Sequence, residues 1–348
     1  MLPLEVLEQV RAELTDWHGS GTSIMEVSHR SKAFMTVAGE AEASLRRLLG
    51  VPDDYHVLFL QGGARAQFAA VPLNLAHNGA TADYLNTGHW SQLAIAEARR
   101  FLSVNVAADE SAARFTRVPA PGTLALSGQA AYVHYVANET IGGVEFPYVP
   151  DSGEVPLVAD MSSCILSRPI DVSRFGLIYA GAQKNIGPAG LTIVIVRAAL
   201  TGRSRAGTPT VWDYAAQAAQ ASMLNTPPTF AWYVAGLVFR WLERQGGLAA
   251  VGARNRAKAE LLYAAIDASG FYANPVEVGC RSWMNVVFSL TETRLEQRFI
   301  DEAHAAGLVN LAGHRAVGGL RASLYNAMPL AGVAALVEFM KEFERRCG

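Results

Sequence analysis

A single lysine, Lys184, lies where an apolar run gives way to a glycine-rich segment, in the stretch YAGAQKNIGPAG (residues 179–190). A carboxylate, Asp160, ends the preceding apolar run VPLVAD. If the two runs are neighbouring strands, both side chains lie at the sheet edge where α/β proteins bind ligands. An ion pair is the commoner outcome for such residues. The alternative is chemical, because a lysine amine can form a Schiff base with an aldehyde cofactor while a carboxylate keeps its ring nitrogen protonated.

An aldehyde cofactor of this kind, pyridoxal phosphate, also needs a phosphate cradle and a flat side chain against its ring. Gly62 and Gly63 occupy a predicted strand-to-helix turn, where backbone N–H groups can bind phosphate, and Arg65 follows them. Two glycines alone more often mark a tight turn. Trp90 could stack on the ring and Thr140 could bind a cofactor oxygen, although a core tryptophan and a turn cap are plainer interpretations. Together these residues favour cofactor binding more than any one does alone.

Two His-Arg dipeptides are candidate ligands for an anion. His29 and Arg30 lie in SHRSK, and His314 and Arg315 lie in GHRAVGGLRAS, which also contains Arg321. Isolated arginines are usually solvated surface residues. Beside a histidine, however, an arginine fork offers bidentate binding of carboxylate or phosphate, and the imidazole adds a donor that titrates near neutral pH. We therefore expect an acidic substrate.

Composition excludes several classes of protein. The chain has 348 residues, 51% of them hydrophobic, which is enough for a large core. Its 29 basic and 31 acidic residues leave a net charge of -2 without runs of like charge, so we expect no nucleic-acid or membrane partner. Cys164, Cys280 and Cys347 have neither disulfide nor zinc spacing, so we expect no metal and a cytoplasmic location. The N-terminus reads as an amphipathic helix rather than a signal peptide.

Short apolar runs alternate with helical segments from about residue 56 onward, which predicts an α/β fold with a mainly parallel sheet. The predicted strands are HVLFLQGG, TADYLNTGHW, AAYVHYV, VPLVAD, FGLIYAG and LTIVIV. The stretch NTPPTFAWYVAGLVFRWLERQGG predicts a long helix with Thr226 as its N-cap, and residues 248–270 predict a second long helix. After about residue 272 a β-α-β-α pattern predicts a smaller α+β domain.

Several segments together resemble the phosphoserine aminotransferases. They are MEVSHRSKAF, GGARAQFAAVPLNL, VANETIGG, residues 159–197, NTPPTFAWYVAGLVFRWL and GHRAVGGLRASLYNAMP. The resemblance runs from about Leu2 to the C-terminus. It implies a fold-type-I, pyridoxal-phosphate-dependent enzyme of the class V aminotransferase group, acting as a homodimer with shared active sites. The implied division is an N-terminal segment (1–30) packing with the small domain, a large cofactor-binding domain with a seven-stranded sheet (31–247), and a small C-terminal α+β domain (248–348).

The resemblance also implies roles for individual residues. Lys184 matches the Schiff-base lysine and Asp160 the partner of the pyridine nitrogen. Further cofactor contacts are implied for Ala64, Arg65, Trp90, Thr140 and Gln183, and from the neighbouring subunit for Asn225 and Thr226. For the substrates, L-glutamate and 3-phosphohydroxypyruvate, it implies Arg321 at the α-carboxylate and His29, Arg30, His314 and Arg315 at the distal phosphate or carboxylate. A phosphorylated hydroxythreonine ketone on the route to pyridoxine is a further possible substrate.

The sequence departs from the family at two places, and two other kinds of enzyme are alternatives. The family normally has a segment such as NFSAGPA, with a serine near the substrate, before the MLP that opens this chain; we expect either an upstream start or a site completed differently. Ala64 stands where many relatives have glycine. A class V lyase or desulfurase would need a cysteine on a mobile loop. An aminotransferase for small uncharged amino acids and glyoxylate would have little use for two His-Arg pairs.

Overall fold

A seven-stranded sheet forms the centre of the larger part of the molecule, and a three-stranded sheet forms the centre of the smaller part. The computed structural model describes residues 1–315 and 317–348. Within those residues the strands are β1 Tyr55–Leu60, β2 Thr81–Asn86, β3 Ser103–Asp109, β4 Val133–Val136, β5 Asn138–Glu139, β6 Val144–Glu145, β7 Leu157–Asp160, β8 Leu177–Gly181, β9 Thr192–Arg197, β10 Tyr272–Ala273, β11 Asn285–Leu290 and β12 Leu320–Ser323.

The large sheet has the strand order β1-β9-β8-β7-β4-β2-β3. The pairs from β8 through β7, β4 and β2 to β3 are parallel, while β9 runs antiparallel to both β1 and β8. The prediction of a mainly parallel sheet is confirmed. The sequence analysis did not predict β3, because this strand lies at the edge of the sheet and carries polar, partly exposed residues where the other strands are apolar.

Helices cover both faces of the large sheet. In the described part of the chain the α-helices are α1 Leu4–Glu13, α2 Lys32–Leu49, α3 Gly63–Leu75, α4 His89–Ala98, α5 Tyr214–Ala219, α6 Thr229–Arg244, α7 Gly247–Asp267, α8 Glu296–Ala305 and α9 Leu330–Cys347. Alternate residues of β9 show the two-sided burial: Ile193 and Ile195 join the core that contains α6, and Val194 and Val196 join the core that contains α3. Such strands read as continuous apolar runs in the sequence.

The long helix predicted to have Thr226 as its N-cap begins two residues later than expected. Pro228 is the N-cap of α6, and no side chain caps its first turn. The prediction was wrong because a residue that precedes proline is held in extended conformation, so Thr226 and Pro227 cannot enter the helix. The carbonyl of Thr226 instead accepts a hydrogen bond from Gln61 Nε2 at 2.8 Å. This bond ties the segment before α6 to the turn that follows β1.

The three-stranded antiparallel sheet β10-β11-β12 is covered by α7, α8 and α9. Helix α7 joins the two parts, because Leu248 and Val251 lie in the larger core whereas Leu262 and Ile266 lie in the smaller one. We therefore keep as a proposal the division into a large domain (31–247) and a small one (248–348), with the boundary at α7. The β-α-β-α pattern predicted after residue 272 is present.

The first 30 residues pack against the larger part of the molecule, and their packing with the small domain stays a prediction. Val6 and Trp17 lie in the larger core, and Glu13 is hydrogen-bonded to Tyr233 of α6. Leu2 and Asn326 line the same small cavity, and Asn326 follows the small sheet. In residues 1–315 and 317–348, none of the helices combines the length and the apolar character that a bilayer crossing requires.

Candidate active site

Seven of the predicted cofactor residues line one cavity of about 290 Å³ at the carboxyl ends of the parallel strands. They come from two strand-to-helix turns, from the end of β7 and from the segments after β5 and β8, so distant parts of the chain meet at one edge of the sheet. The seven residues are Ala64, Arg65, Trp90, Thr140, Asp160, Gln183 and Lys184. Ser162, Ser163 and Asn138 complete the wall near Asp160.

Lys184 is largely enclosed and lies just after β8. Its Nζ donates a hydrogen bond to Thr140 Oγ1 at 2.7 Å and lies 5.9 Å from the centroid of the Trp90 ring. Burial lowers the pKa of the Lys184 ammonium, and the Arg321 charge lowers it further, although the nearby Asp160 carboxylate opposes the change. The amine is therefore easier to deprotonate than an ordinary lysine, which is a requirement for a nucleophile or a general base.

Asp160 ends β7 and is only 5% exposed. Its Oδ1 accepts a hydrogen bond from the Ser162 backbone N–H at 2.8 Å. Burial raises the pKa of the Asp160 carboxyl, while hydrogen bonds from Ser162 and the charge of Lys184 lower it. Because Lys184 Nζ bonds to Thr140 rather than to Asp160, the two residues are not a simple ion pair. A buried carboxylate without a cationic partner in contact is suited to a ligand that brings a positive charge.

The turn between β1 and α3 leaves room for an anion. Gly62 and Gly63 have φ values of +99° and +67°, and no side chain caps the first turn of α3. A Cβ built on Gly62 would lie 2.5 Å from the Cβ of Ala66, so no larger residue fits there without displacement. The first N–H groups of α3 are thus available at a helix N-terminus, where phosphate groups bind.

Glu139 is a site residue that the sequence analysis missed. It is 1% exposed, and its two carboxylate oxygens accept the backbone N–H groups of Trp90 (2.9 Å) and Ser91 (2.8 Å). These bonds cap the first turn of α4 and hold Trp90 at the cavity wall. Burial raises the pKa of Glu139 to about 7, although the two N–H donors oppose the change. The capping residue belongs to β5, which is far from α4 in sequence, so no local sequence pattern predicts this cap.

A larger cavity of about 670 Å³ between the two parts of the molecule contains His314 and Arg321 in its wall. Arg321 lies on β12 opposite Val287 of β11, and its Nε is buried without a hydrogen-bond partner among the described residues. His89, at the start of α4, faces His314 with the ring centroids 5.7 Å apart. Burial lowers the pKa of His89, and the charges of His314 and Arg65 lower it further. The cavity therefore gathers donors for an anion, including His89, which sequence analysis did not identify.

Comparison with known proteins identifies the family. The model of the class-V aminotransferases matches residues 1–336. The chain is 60% identical over 345 residues to the phosphoserine aminotransferase of Hahella chejuensis, covering 99% of this chain and 96% of that protein. The chain belongs to the phosphoserine aminotransferase family.

Solved structures of family members match the whole fold. The phosphoserine aminotransferase of Bacillus circulans subsp. alkalophilus has a TM-score of 0.98 at 48% identity, with 100% of this chain and 97% of that chain covered. The pyridoxal-phosphate-bound phosphoserine aminotransferase of Trichomonas vaginalis has a TM-score of 0.94 at 42% identity, with 98% and 97% covered. The α/β architecture predicted from the sequence is thus confirmed as that of this aminotransferase family.

Pyridoxal phosphate is the cofactor of this aminotransferase family, and the residues present fit it. The glycine turn before α3 lines the cavity and leaves the first N–H groups of this helix without a side-chain cap, burial lowers the pKa of the Lys184 amine, and Asp160 is a buried carboxylate without a contacting cation among the described residues. A flat indole ring, that of Trp90, lies at the same wall. These are the groups that the cofactor's phosphate, aldehyde, ring nitrogen and ring face require.

Five predicted site residues lie elsewhere in the single chain. The walls of the two cavities described above do not include His29, Arg30, Arg315, Asn225 or Thr226. Asn225 instead lines a separate cavity of about 290 Å³ that also reaches Gly62. The Nε2 atom of His29 is buried without a hydrogen-bond partner among the described residues, whereas Arg30 is exposed. Their predicted roles stay predictions.

Proposed function

We propose that this aminotransferase moves the amino group between L-glutamate and 3-phosphohydroxypyruvate, forming 2-oxoglutarate and O-phospho-L-serine. The observation that carries the proposal is the adjacency of two features: a cavity built around Lys184 and a cavity that gathers Arg321, His314 and His89. Both substrates have an α-carboxylate and a second anionic group, so one set of cations can bind each in turn. The names of the 57–60% identical relatives point to the same substrate.

Lys184 is proposed to hold the cofactor covalently and to move the proton of the substrate α-carbon. Its lowered pKa, caused mainly by burial, favours the neutral amine that can accept that proton at Nζ. Thr140 fixes the position of Nζ through the 2.7 Å hydrogen bond. When bound, pyridoxal phosphate supplies an electron sink that makes this α-proton acidic.

Asp160 is proposed to pair with the ring nitrogen of the cofactor and to keep it protonated. Its carboxylate is held by the Ser162 backbone, so it cannot turn away from the cavity without losing that bond. Trp90 is proposed to cover the ring face, with Glu139 as the residue that positions it. Ala64, Arg65 and Gln183 are proposed as further cofactor ligands because they line the same cavity.

Arg321 is proposed to bind the α-carboxylate of both substrates. The support is its place in the wall of the larger cavity, where its charge lowers the pKa of Lys184 and its buried Nε has no protein partner among the described residues. An unpaired buried guanidinium N–H is costly, and a bound carboxylate would satisfy it. His314, and with it His89, would then face the distal phosphate or carboxylate.

The remaining residues are proposed to act across the interface of a homodimer. Asn225 and Thr226 would reach the cofactor phosphate of the neighbouring subunit, and His29, Arg30 and Arg315 would complete the distal anion site. The support is that one chain alone does not bring them to the cavity walls. Sedimentation of the purified protein should give twice the chain mass, and Thr226→Ala should weaken cofactor binding without dissociating the dimer; a fully active monomer would contradict the shared site.

A lyase or desulfurase activity has little support in the structure. Cys164 and Cys280 are each only 9% exposed, and burial raises the pKa of both thiols. A sulfur-transferring cysteine must be an accessible thiolate. We propose a cytoplasmic location because the three cysteines are free rather than paired.

The decisive experiment compares amino acceptors with the purified, cofactor-loaded enzyme and glutamate as donor. We expect 3-phosphohydroxypyruvate to be used with a kcat/KM at least about 100-fold above those of pyruvate and glyoxylate, which have no distal anion, and of oxaloacetate, whose distal carboxylate carries less charge than a phosphate. The phosphorylated hydroxythreonine ketone belongs in the same panel. A preference for an unphosphorylated ketone would contradict the substrate assignment. Lys184→Ala should lose the visible absorbance of the lysine-bound cofactor and reduce turnover by orders of magnitude.

A further inference from the structure

A row of buried polar side chains crosses the large sheet and ends at Asp160. Tyr84 of β2 lies opposite His134 of β4, and Tyr179 of β8 lies opposite Asp160 of β7. The imidazole of His134 stacks on the Tyr84 ring with centroids 4.7 Å apart, and its Nε2 lies 2.8 Å from the Tyr179 hydroxyl. Tyr84, His134 and Tyr179 are at most 2% exposed. The row is therefore shielded from solvent.

The surroundings of His134 decide which nitrogen carries its proton. Burial lowers the pKa of His134 to about 3, so the imidazole is neutral at ordinary pH and has one N–H. Nδ1 has no hydrogen-bond partner among the described residues, whereas Nε2 faces the Tyr179 oxygen. A proton on Nδ1 would leave a buried donor unsatisfied, which is costly. The Nε2–H tautomer donates to Tyr179 and leaves only a bare lone pair at Nδ1.

This tautomer also orients the Tyr179 hydroxyl. Because the Tyr179 oxygen accepts a hydrogen bond from the Nε2–H of His134, its own O–H is free to point elsewhere. The neighbouring acceptor is Asp160, which lies opposite Tyr179 in the parallel pair β7–β8, and the Tyr179 hydroxyl lowers the pKa of that carboxyl. The opposite tautomer would draw the Tyr179 proton toward His134 and turn it away from Asp160. The direction in which these hydrogen bonds are donated therefore affects how strongly the anionic form of Asp160 is stabilised.

We propose that Tyr179 and His134 are positioning residues for the reaction: the Nε2–H of His134 orients the Tyr179 hydroxyl, which donates to Asp160 and keeps that carboxylate anionic. This role rests on Asp160 being the partner of the cofactor's ring nitrogen, as proposed above. Neither residue lines the cofactor cavity, so both act through Asp160.

Tyr179→Phe tests the proposal, with Tyr84→Phe as its matched control. Tyr84 lies in the same row, but its hydroxyl bonds to Tyr132 at 2.8 Å and not to Asp160. Loss of a hydrogen bond to a charged group should weaken cofactor binding by about 10-fold or more in Tyr179→Phe and leave Tyr84→Phe unchanged. With cofactor labelled by ¹⁵N in its ring, the nitrogen resonance should move toward the unprotonated position in Tyr179→Phe alone. Equal behaviour of the two variants would overturn the proposal.

The tautomer is tested directly by ¹⁵N spectra of the histidine-labelled holoenzyme, with the His134 signals identified by their loss in a variant. We expect Nε2 protonated and Nδ1 bare; the reverse would overturn the proposal. His134→Gln keeps an N–H donor beside Tyr179 and should retain tighter cofactor binding than His134→Leu, which keeps none. Asp160→Asn distinguishes failure of the proposed role of Asp160 from failure of the proposed role of Tyr179. If Asp160→Asn leaves the ring-nitrogen resonance unchanged, Asp160 is not the partner of that nitrogen. If Asp160→Asn moves the resonance and Tyr179→Phe does not, Asp160 keeps its role and the role of Tyr179 is refuted.

Discussion

Glu139 should make the folded chain less stable as the pH rises toward neutrality. Its carboxyl is buried beneath the first turn of α4, and burial raises its pKa from 4.5 to about 7. A carboxyl with a raised pKa in the folded state binds its proton more tightly there than in the unfolded chain. Its contribution to stability is therefore complete below pH 4.5 and is lost as the pH rises through about 7.

The size of the effect follows from the two pKa values. Each tenfold change in proton affinity is worth about 1.4 kcal/mol, so a rise from 4.5 to about 7 corresponds to about 3 kcal/mol. Glu139→Gln cannot titrate, and it keeps one carbonyl oxygen for one of the two N–H donors. Relative to this variant, the wild-type chain should lose about 3 kcal/mol of unfolding free energy between pH 4.5 and pH 7.

The assay is urea unfolding of the cofactor-free proteins at half-unit steps from pH 4.5 to 8. Trp90→Phe is the control, because it alters the ring that Glu139 positions but keeps the backbone N–H that Glu139 binds. This control should follow the pH slope of the wild-type chain, whereas Glu139→Gln should diverge from it. If the curves of wild type and Glu139→Gln stay parallel across this range, the reasoning about the buried carboxyl is refuted.

Four further substitutions test the turn before α3, the arginine of the larger cavity and the packing of Gly143 against β11. Gly62→Ala should weaken cofactor binding by about 10-fold or more, measured by fluorescence titration, because the new Cβ meets Ala66 at 2.5 Å; Gly63→Ala, with nothing within 4 Å, should have the smaller effect. Arg321→Lys should raise the KM for glutamate by about 10-fold or more through loss of the bidentate fork, and an unchanged KM would exclude a carboxylate contact. Gly143→Ala should lower the unfolding free energy by about 1–3 kcal/mol, because the new Cβ would lie 2.8 Å from the Asn285 carbonyl oxygen at a φ of +69°. Urea unfolding measures this change, and an unchanged midpoint would contradict the packing.

The fold and the central pair of residues were predictable because the relevant signals are local. Apolar runs such as LTIVIV are long enough to be read as strands buried on both faces, and the alternation with helical segments predicts a parallel sheet. Lys184 and Asp160 follow such runs directly, so their meeting at one sheet edge was predicted from chain order alone. The segments around them also carry the resemblance that the relatives confirm.

Only the tertiary structure shows what surrounds these residues. Glu139 caps a helix from a distant strand, His89 meets His314 across the two parts of the chain, and the row from Tyr84 to Tyr179 depends on strand order rather than on sequence spacing. Hydrogen bonds and burial between remote segments leave no periodic trace in a sequence. Local patterns determine which elements form and where chemistry is possible, whereas the pKa and orientation of each group follow from neighbours that the folded chain brings within a few ångströms.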